Sequence, residues 1–156
     1  MNLKRIAIFV LMTLVFCQCR NESNPAGLAY YANLKSTLET EYNISIGNEK
    51  NMVVFVLHSD TICSCNGKNV SMVDEIARKH PDYKTVVILK NDFTNKIRDM
   101  IHTGNVTFCS DTTKVLEKNG NVFRFDKLFS VRNGAYDNMF DLEDKDVRQI
   151  RDYFNL

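Results

Sequence analysis

Met52-Val53-Val54-Phe55-Val56-Leu57 is an unbroken apolar run, and Cys63-Ser64-Cys65 follows shortly after it. A run this short and this rich in valine fits a strand covered on both faces of a sheet. Beyond the cysteines, Val70, Val73, Ile76 and Ala77 recur at helical spacing. They predict a helix from near Asn66 to His80, with Pro81 as its stop. The cysteine pair thus stands on a strand-to-helix turn. There the positive end of the helix dipole favours thiolate over thiol. Thiolate is the reactive form, whether for disulfide exchange or for a soft metal ion.

Outward from this turn the pattern alternates helix and strand. Leu28, Tyr31, Leu34, Leu38 and Tyr42 mark an amphipathic helix, and Ile44 and Ile46 a short strand before Gly47. Val86-Val87-Ile88-Leu89 reads as a second buried strand. Phe93, Ile97, Met100 and Ile101 form a helix face closed by Gly104, and Val106-Thr107-Phe108-Cys109 is a further strand. Val115 and Leu116 sit in a brief helix that closes at Asn119-Gly120. Leu128 to Val131 and Tyr136 to Phe140 flank Arg132-Asn133-Gly134-Ala135, a strong hairpin signal. Val147, Ile150 and Phe154 mark a C-terminal helix with acidic residues in its first turn. Arg124-Phe125-Asp126-Lys127 alternates charge and reads as a solvated edge. The order predicts an α/β fold with a mixed central sheet covered by helices on both faces.

The chain has 156 residues, 44% hydrophobic and 25% charged, with a net charge of +1. That describes one ordinary globular domain and gives no global field to attract nucleic acid. Residues 1–19 read as a lipoprotein-type signal segment. Lys4 and Arg5 precede an apolar run from Ile6 to Phe16, interrupted only by Thr13. The run is well short of the roughly 20 residues that span a bilayer and suits a signal-peptide core. Cys17 and Cys19 follow where a bacterial lipoprotein signal places its lipid-accepting cysteine. Phe16 and Gln18 precede them, although such signals prefer a small residue there. Cys19 is the favoured site and Cys17 the alternative. Cleavage to a soluble exported protein and an uncleaved anchor are the competing outcomes. Residues 20–27 read as a polar tether and 28–156 as the domain. Without Lys4 and Arg5 the 20 basic residues fall to 18, against 19 acidic. These features imply a monomer of the bacterial cell envelope, lipid-anchored to a membrane.

A cysteine motif between a buried strand and a helix, then a βαβ unit, a hairpin and a final helix, resembles the thioredoxin superfamily. More narrowly, the chain is similar to the membrane-anchored thiol-disulfide oxidoreductases and redoxins of the bacterial envelope. The resemblance implies a thioredoxin-like three-layer α/β/α sandwich over roughly residues 28–155. It also implies a redox dithiol that needs no cofactor and exchanges with protein thiols or disulfides. Cys63 would be the nucleophile and Cys65 the resolving partner. Three departures accompany it. The family's active site is usually Cys-x-x-Cys, whereas here one residue separates the cysteines. The residue before the first cysteine is Ile62 where the family often has Trp. The family's cis-proline before the hairpin strand has no counterpart in Phe123-Arg124-Phe125-Asp126. A cis bond without proline costs about 2.5–4 kcal/mol. A disulfide closed over a Cys-x-Cys would be strained, which makes it more oxidising.

Two other functions stay open. Cys63 and Cys65 with His58 could bind Cu(I) for metal delivery, or the fold could serve as a non-catalytic interaction module. Cys109 ends a strand expected beside the active-site strand, where it could pair with Cys63 or Cys65. A buried core thiol is the favoured reading. His80 and His102 read as partners of helix C-termini, and Asp60 and Thr61 as caps of the dithiol helix.

Overall fold

In the computed structural model the apolar run becomes β1 (Asn51–Leu57), the central strand of a five-stranded sheet. The structure describes residues 25–46, 49–57, 64–89, 94–121, 123, 125–143 and 145–156. The remaining strands are β2 (Lys84–Leu89), β3 (Val106–Ser110), β4 (Lys127–Arg132) and β5 (Ala135–Asp141). The helices are α1 (Pro25–Glu41), α2 (Ser64–Lys79), α3 (Thr94–Met100), α4 (Val115–Lys118) and α5 (Val147–Phe154). The strand order is β3-β2-β1-β4-β5. β1, β2 and β3 run parallel, while β4 lies antiparallel to both β1 and β5.

Alternate side chains of β1 enter different cores. Val53, Phe55 and Leu57 pack with Val73 and Ile76 of α2, Ile97 of α3, and Ile150 and Phe154 of α5. Met52, Val54 and Val56 pack with Leu34 and Leu38 of α1 and Leu116 of α4. This is the expected mixed sheet with helices on both faces, and it explains why β1 carries no polar alternation.

Several local expectations change. Ile44 and Ile46 form no strand. Asn43 turns left-handed (φ 54°), the Ile44 N–H returns to the Leu38 carbonyl at 2.8 Å, and both isoleucines plug the core beneath α1. Helix α1 starts at Pro25, so 25–27 of the expected tether are helical. Proline suits a first helical position because the N–H it lacks would have no partner there. On α3, Ile97 and Ile101 are buried, but Met100 is 44% exposed. Only the i, i+4 stripe of so short a helix reaches the sheet. Phe93 lies outside the described residues. Gly104 does not end α3. The Asp74 carboxylate of α2 accepts the N–H groups of His102 and Thr103, each at 3.0 Å, and the Thr103 hydroxyl at 2.6 Å. The Thr103 hydroxyl bond leads in holding the Asp74 carboxyl below its ordinary range. Strand β3 pairs with β2, so β2 separates Cys109 from the active-site strand, a correction to the expected adjacency. Helix α5 has no acidic residue in its first turn; Asp146 stands just before it.

The hairpin forms as expected. Asn133 and Gly134 both have positive φ, 52° and 75°, the signature of a type I′ turn. Asp111 is buried and organises α4. It accepts the Val115 N–H at 2.7 Å, the Leu116 N–H at 3.2 Å and the Tyr42 hydroxyl at 3.1 Å.

Helix α1 meets β5 at Gly27. A Cβ built there would collide with the Tyr136 hydroxyl and lie 3.3 Å from Met139 Cβ. That hydroxyl is buried and has no hydrogen-bond partner among the described residues. Tyr136→Phe is therefore expected to be neutral or to stabilise by up to about 1 kcal/mol in urea unfolding. Gly27→Ala should destabilise by about 1–3 kcal/mol, part of it recovered when combined with Tyr136→Phe. A cost from Tyr136→Phe alone would show that the hydroxyl has a partner.

Candidate functional site

Parallel strands followed by helices leave a cleft at the carboxyl ends of the strands, where open α/β sheets bind ligands. β1 ends at Leu57 and α2 begins at Ser64. Cys65 therefore belongs to the first turn of α2, and Cys63 directly precedes the helix. Residues 58–63, with His58, Asp60, Thr61 and Cys63, lie outside the described residues, as do the side chains of Ser64 and Cys65. Residues 1–24, with Cys17 and Cys19, lie outside them as well.

Register places Lys127 opposite Val56, so β4 enters the sheet beside the end of β1. The expected solvated edge at residues 126 and 127 is overturned, because Asp126 and Lys127 are only 8% and 9% exposed. Asn69 of α2 is equally buried, and its Nδ2 donates to Asp126 Oδ2 at 2.9 Å. The same amide reaches the Leu142 carbonyl at 3.4 Å, and the Leu142 N–H donates to the Asp126 carbonyl at 2.9 Å. This clasp joins the dithiol helix, the approach to β4 and the exit from β5. Lys127 forms an ion pair with Asp141 and lies 6.0 Å from the centre of the Phe123 ring. Phe125, beside the clasp, is 37% exposed. Among the described residues no peptide bond is cis.

Asn69 was discoverable in the sequence. It occupies the i position of the buried stripe continued by Val73 and Ile76, so a polar side chain there needs a buried partner. The partner itself was not discoverable, since Asp126 lies in a stretch with no periodicity.

Cys109 is a buried free thiol, and burial pushes it up to about 11. Its favoured reading as a core residue stands. His80 reaches a helix C-terminus, that of α5, which ends at Phe154. Its Nε2 lies 2.6 Å from the Phe154 carbonyl, which can only accept, so the proton sits on Nε2. The ring also meets Tyr83 and Phe154 edge-on. His102 is exposed, and its backbone N–H is held by Asp74. Among the described residues no three His, Cys, Asp or Glu groups converge as metal ligands, and no helix is long and apolar enough to cross a membrane.

No protein-family model matches the chain, and no curated protein matches it. Solved structures do. A secreted Mycobacterium tuberculosis disulfide oxidoreductase, homologous to Escherichia coli DsbE, aligns at 14% identity over 61% of this chain and 71% of its own, with a TM-score of 0.50. DsbF of the same organism, in mixed oxidized and reduced forms, aligns at 14% identity over 68% and 81%, with a TM-score of 0.51. A Chlorobium tepidum protein described as a candidate thiol:disulfide interchange protein DsbE aligns at 12% identity over 68% and 78%, also with a TM-score of 0.51. The chain has the thioredoxin-like fold.

Two outcomes follow from this geometry. Asn69→Ala should cost about 1–3 kcal/mol, because the buried Asp126 carboxylate loses this donor; chemical denaturation measures it. Cys109 should resist alkylation at pH 8 until the protein unfolds. Its raised value also means that its contribution to stability is complete below ~8.5, the ordinary thiol value, and is lost as pH rises to about 11. Unfolding titrations of wild type and Cys109→Ala across that window check the sign.

Proposed function

We propose that the protein is a thiol-disulfide oxidoreductase or isomerase of the bacterial envelope, working through the Cys63-Ser64-Cys65 dithiol. The observation that carries this reading is the start of α2 at Ser64, beyond the carboxyl end of β1, which is buried from Met52 to Leu57. A sulfur at that point meets the unsatisfied N–H groups and positive dipole end of a 16-residue helix. The fold supports the reading, because a protein described as a secreted disulfide oxidoreductase shares it. Export and anchoring through Cys19 or Cys17 belong to the same proposal, supported by the N-terminal signal pattern.

The exchange needs no cofactor. The Cys63 thiolate attacks one sulfur of a substrate disulfide, forming a mixed disulfide and expelling the other substrate sulfur as a thiolate. Cys65 loses its proton and attacks Cys63 Sγ. The Cys63–Cys65 bond forms and the second substrate thiolate leaves. Two electrons pass to the substrate; in the reverse direction the protein oxidises a dithiol. When the released thiolate attacks a different disulfide before Cys65 acts, the result is isomerisation.

The rate of iodoacetamide alkylation against pH should give Cys63 a midpoint well below ~8.5. Glutathione disulfide should produce a Cys63–Cys65 crosslink visible by mass spectrometry. Cys63→Ser should reduce disulfide exchange to background, and Cys65→Ser should accumulate a mixed disulfide with substrate. Ordinary titration of both thiols, with no crosslink under oxidant, would leave the fold as an interaction module.

A further inference from the structure

The first turns of α1 carry no charge. Pro25 to Leu34 contains no charged residue, and Lys35 is the first in the helix. Tyr31 and Leu34 turn into the core, while Ala26, Leu28, Ala29 and Ala32 stay exposed, Leu28 at 49%. One exposed leucine is ordinary in itself; here its place in the fold gives it meaning. Gly27 lies against Tyr136 and Met139 of β5, an edge strand, whereas Tyr42, just past the other end of α1, bonds to Asp111 beyond β3. The amino end of α1 thus stands at the β5 edge of the sheet. Cys19, the favoured lipid site, precedes Pro25 by six residues. A chain of that length spans at most about 21 Å when fully extended. From β5 to β3 the sheet is four strand spacings wide, about 19 Å. Turning β3 toward a bilayer would therefore use nearly the whole tether on the width of the sheet. Turning β5 toward it leaves the tether slack and brings the charge-free turns of α1 to the headgroups.

We propose that the start of α1 and the β5 edge form the surface that rests on the lipid bilayer, with Leu28 at the level of the headgroups. The inference rests on the reading of Cys19 as the anchor and is independent of any activity at the dithiol. The β5 edge suits the position electrostatically. Its carboxylates, Asp137 and Asp141, are held in ion pairs with Arg132 and Lys127 of β4. The orientation has a consequence for access. With the β5 edge against the membrane, the strand axes lie along the membrane plane. The carboxyl ends of the parallel strands then open sideways, toward partners held at the same surface.

The chain has no tryptophan, so a single introduced indole reports its own position. Leu28→Trp and Met100→Trp are made in the full-length protein, purified with its lipid. Each is reconstituted into vesicles of phosphatidylethanolamine and phosphatidylglycerol that carry brominated acyl chains. Met100 is the matched control. It is 44% exposed, and its helix α3 packs on the other face of the sheet, with Ile97 against Val106 and Phe108 of β3. Leu28→Trp should lose about half of its emission to the bromines, since an indole at a membrane surface settles among the headgroups. Met100→Trp should keep its emission. Equal quenching at both sites, or at neither, in protein that floats with the vesicles would overturn the surface assignment. Absence of lipid on Cys19 by mass spectrometry would instead overturn the anchoring reading itself.

Discussion

β1 has hydrogen-bonded neighbours on both edges and packed side chains on both faces. From Met52 to Leu57 no residue exceeds 2% exposure. Each such side chain contributes roughly 1.5–3 kcal/mol by leaving water. A strand enclosed in this way has no freedom to slip, because a shift of one residue would exchange its two cores. β4 enters alongside it with Lys127 opposite Val56, and the Asn69–Asp126 hydrogen bond ties α2 to the approach of β4.

Local chemistry made most of the architecture legible in advance. The valine-rich runs became β1 and β2, Asn133-Gly134 supplied a type I′ turn, and Pro81 lies just past the end of α2. At residues 126 and 127 polarity is a poor proxy for exposure. Asp126 and Lys127 alternate with aromatic residues and look solvated, yet each is buried against a partner far away in the chain, Asn69 and Asp141. Ile44 and Ile46 have the alternation of a strand, but both are spent on the core cluster beneath α1 and belong to no strand. The position of β3 could not be read either. Which strand a crossover returns to is a tertiary choice, and the sequence of β3 serves equally well on either side of β2.

The candidate site was legible in a different sense. The cysteine pair announced itself by its placement before a helix, a property of neighbouring residues. The clasp on its helix did not, because Asn69 finds its partner in Asp126, 57 positions later in the numbering. Where the thioredoxin family has a proline ahead of the hairpin strand, this chain has a charged side chain drawn inward and tied to the helix. A rigid apolar contact has been exchanged for a polar one.

The pairing of β1 with β4 joins Val54 to Phe129. One whole edge of the central strand therefore stays unsatisfied until the chain has been made as far as Arg132, late in its 156 residues. The parallel half of the sheet is complete at Ser110, but β1 keeps an open, strongly apolar edge until the hairpin arrives. Closing so long a loop is slow relative to local structure formation. A nascent chain of this sequence cannot complete its core from its amino-terminal portion. That delay is a liability for a protein that matures where it is made and an advantage for one that must cross a membrane before it folds.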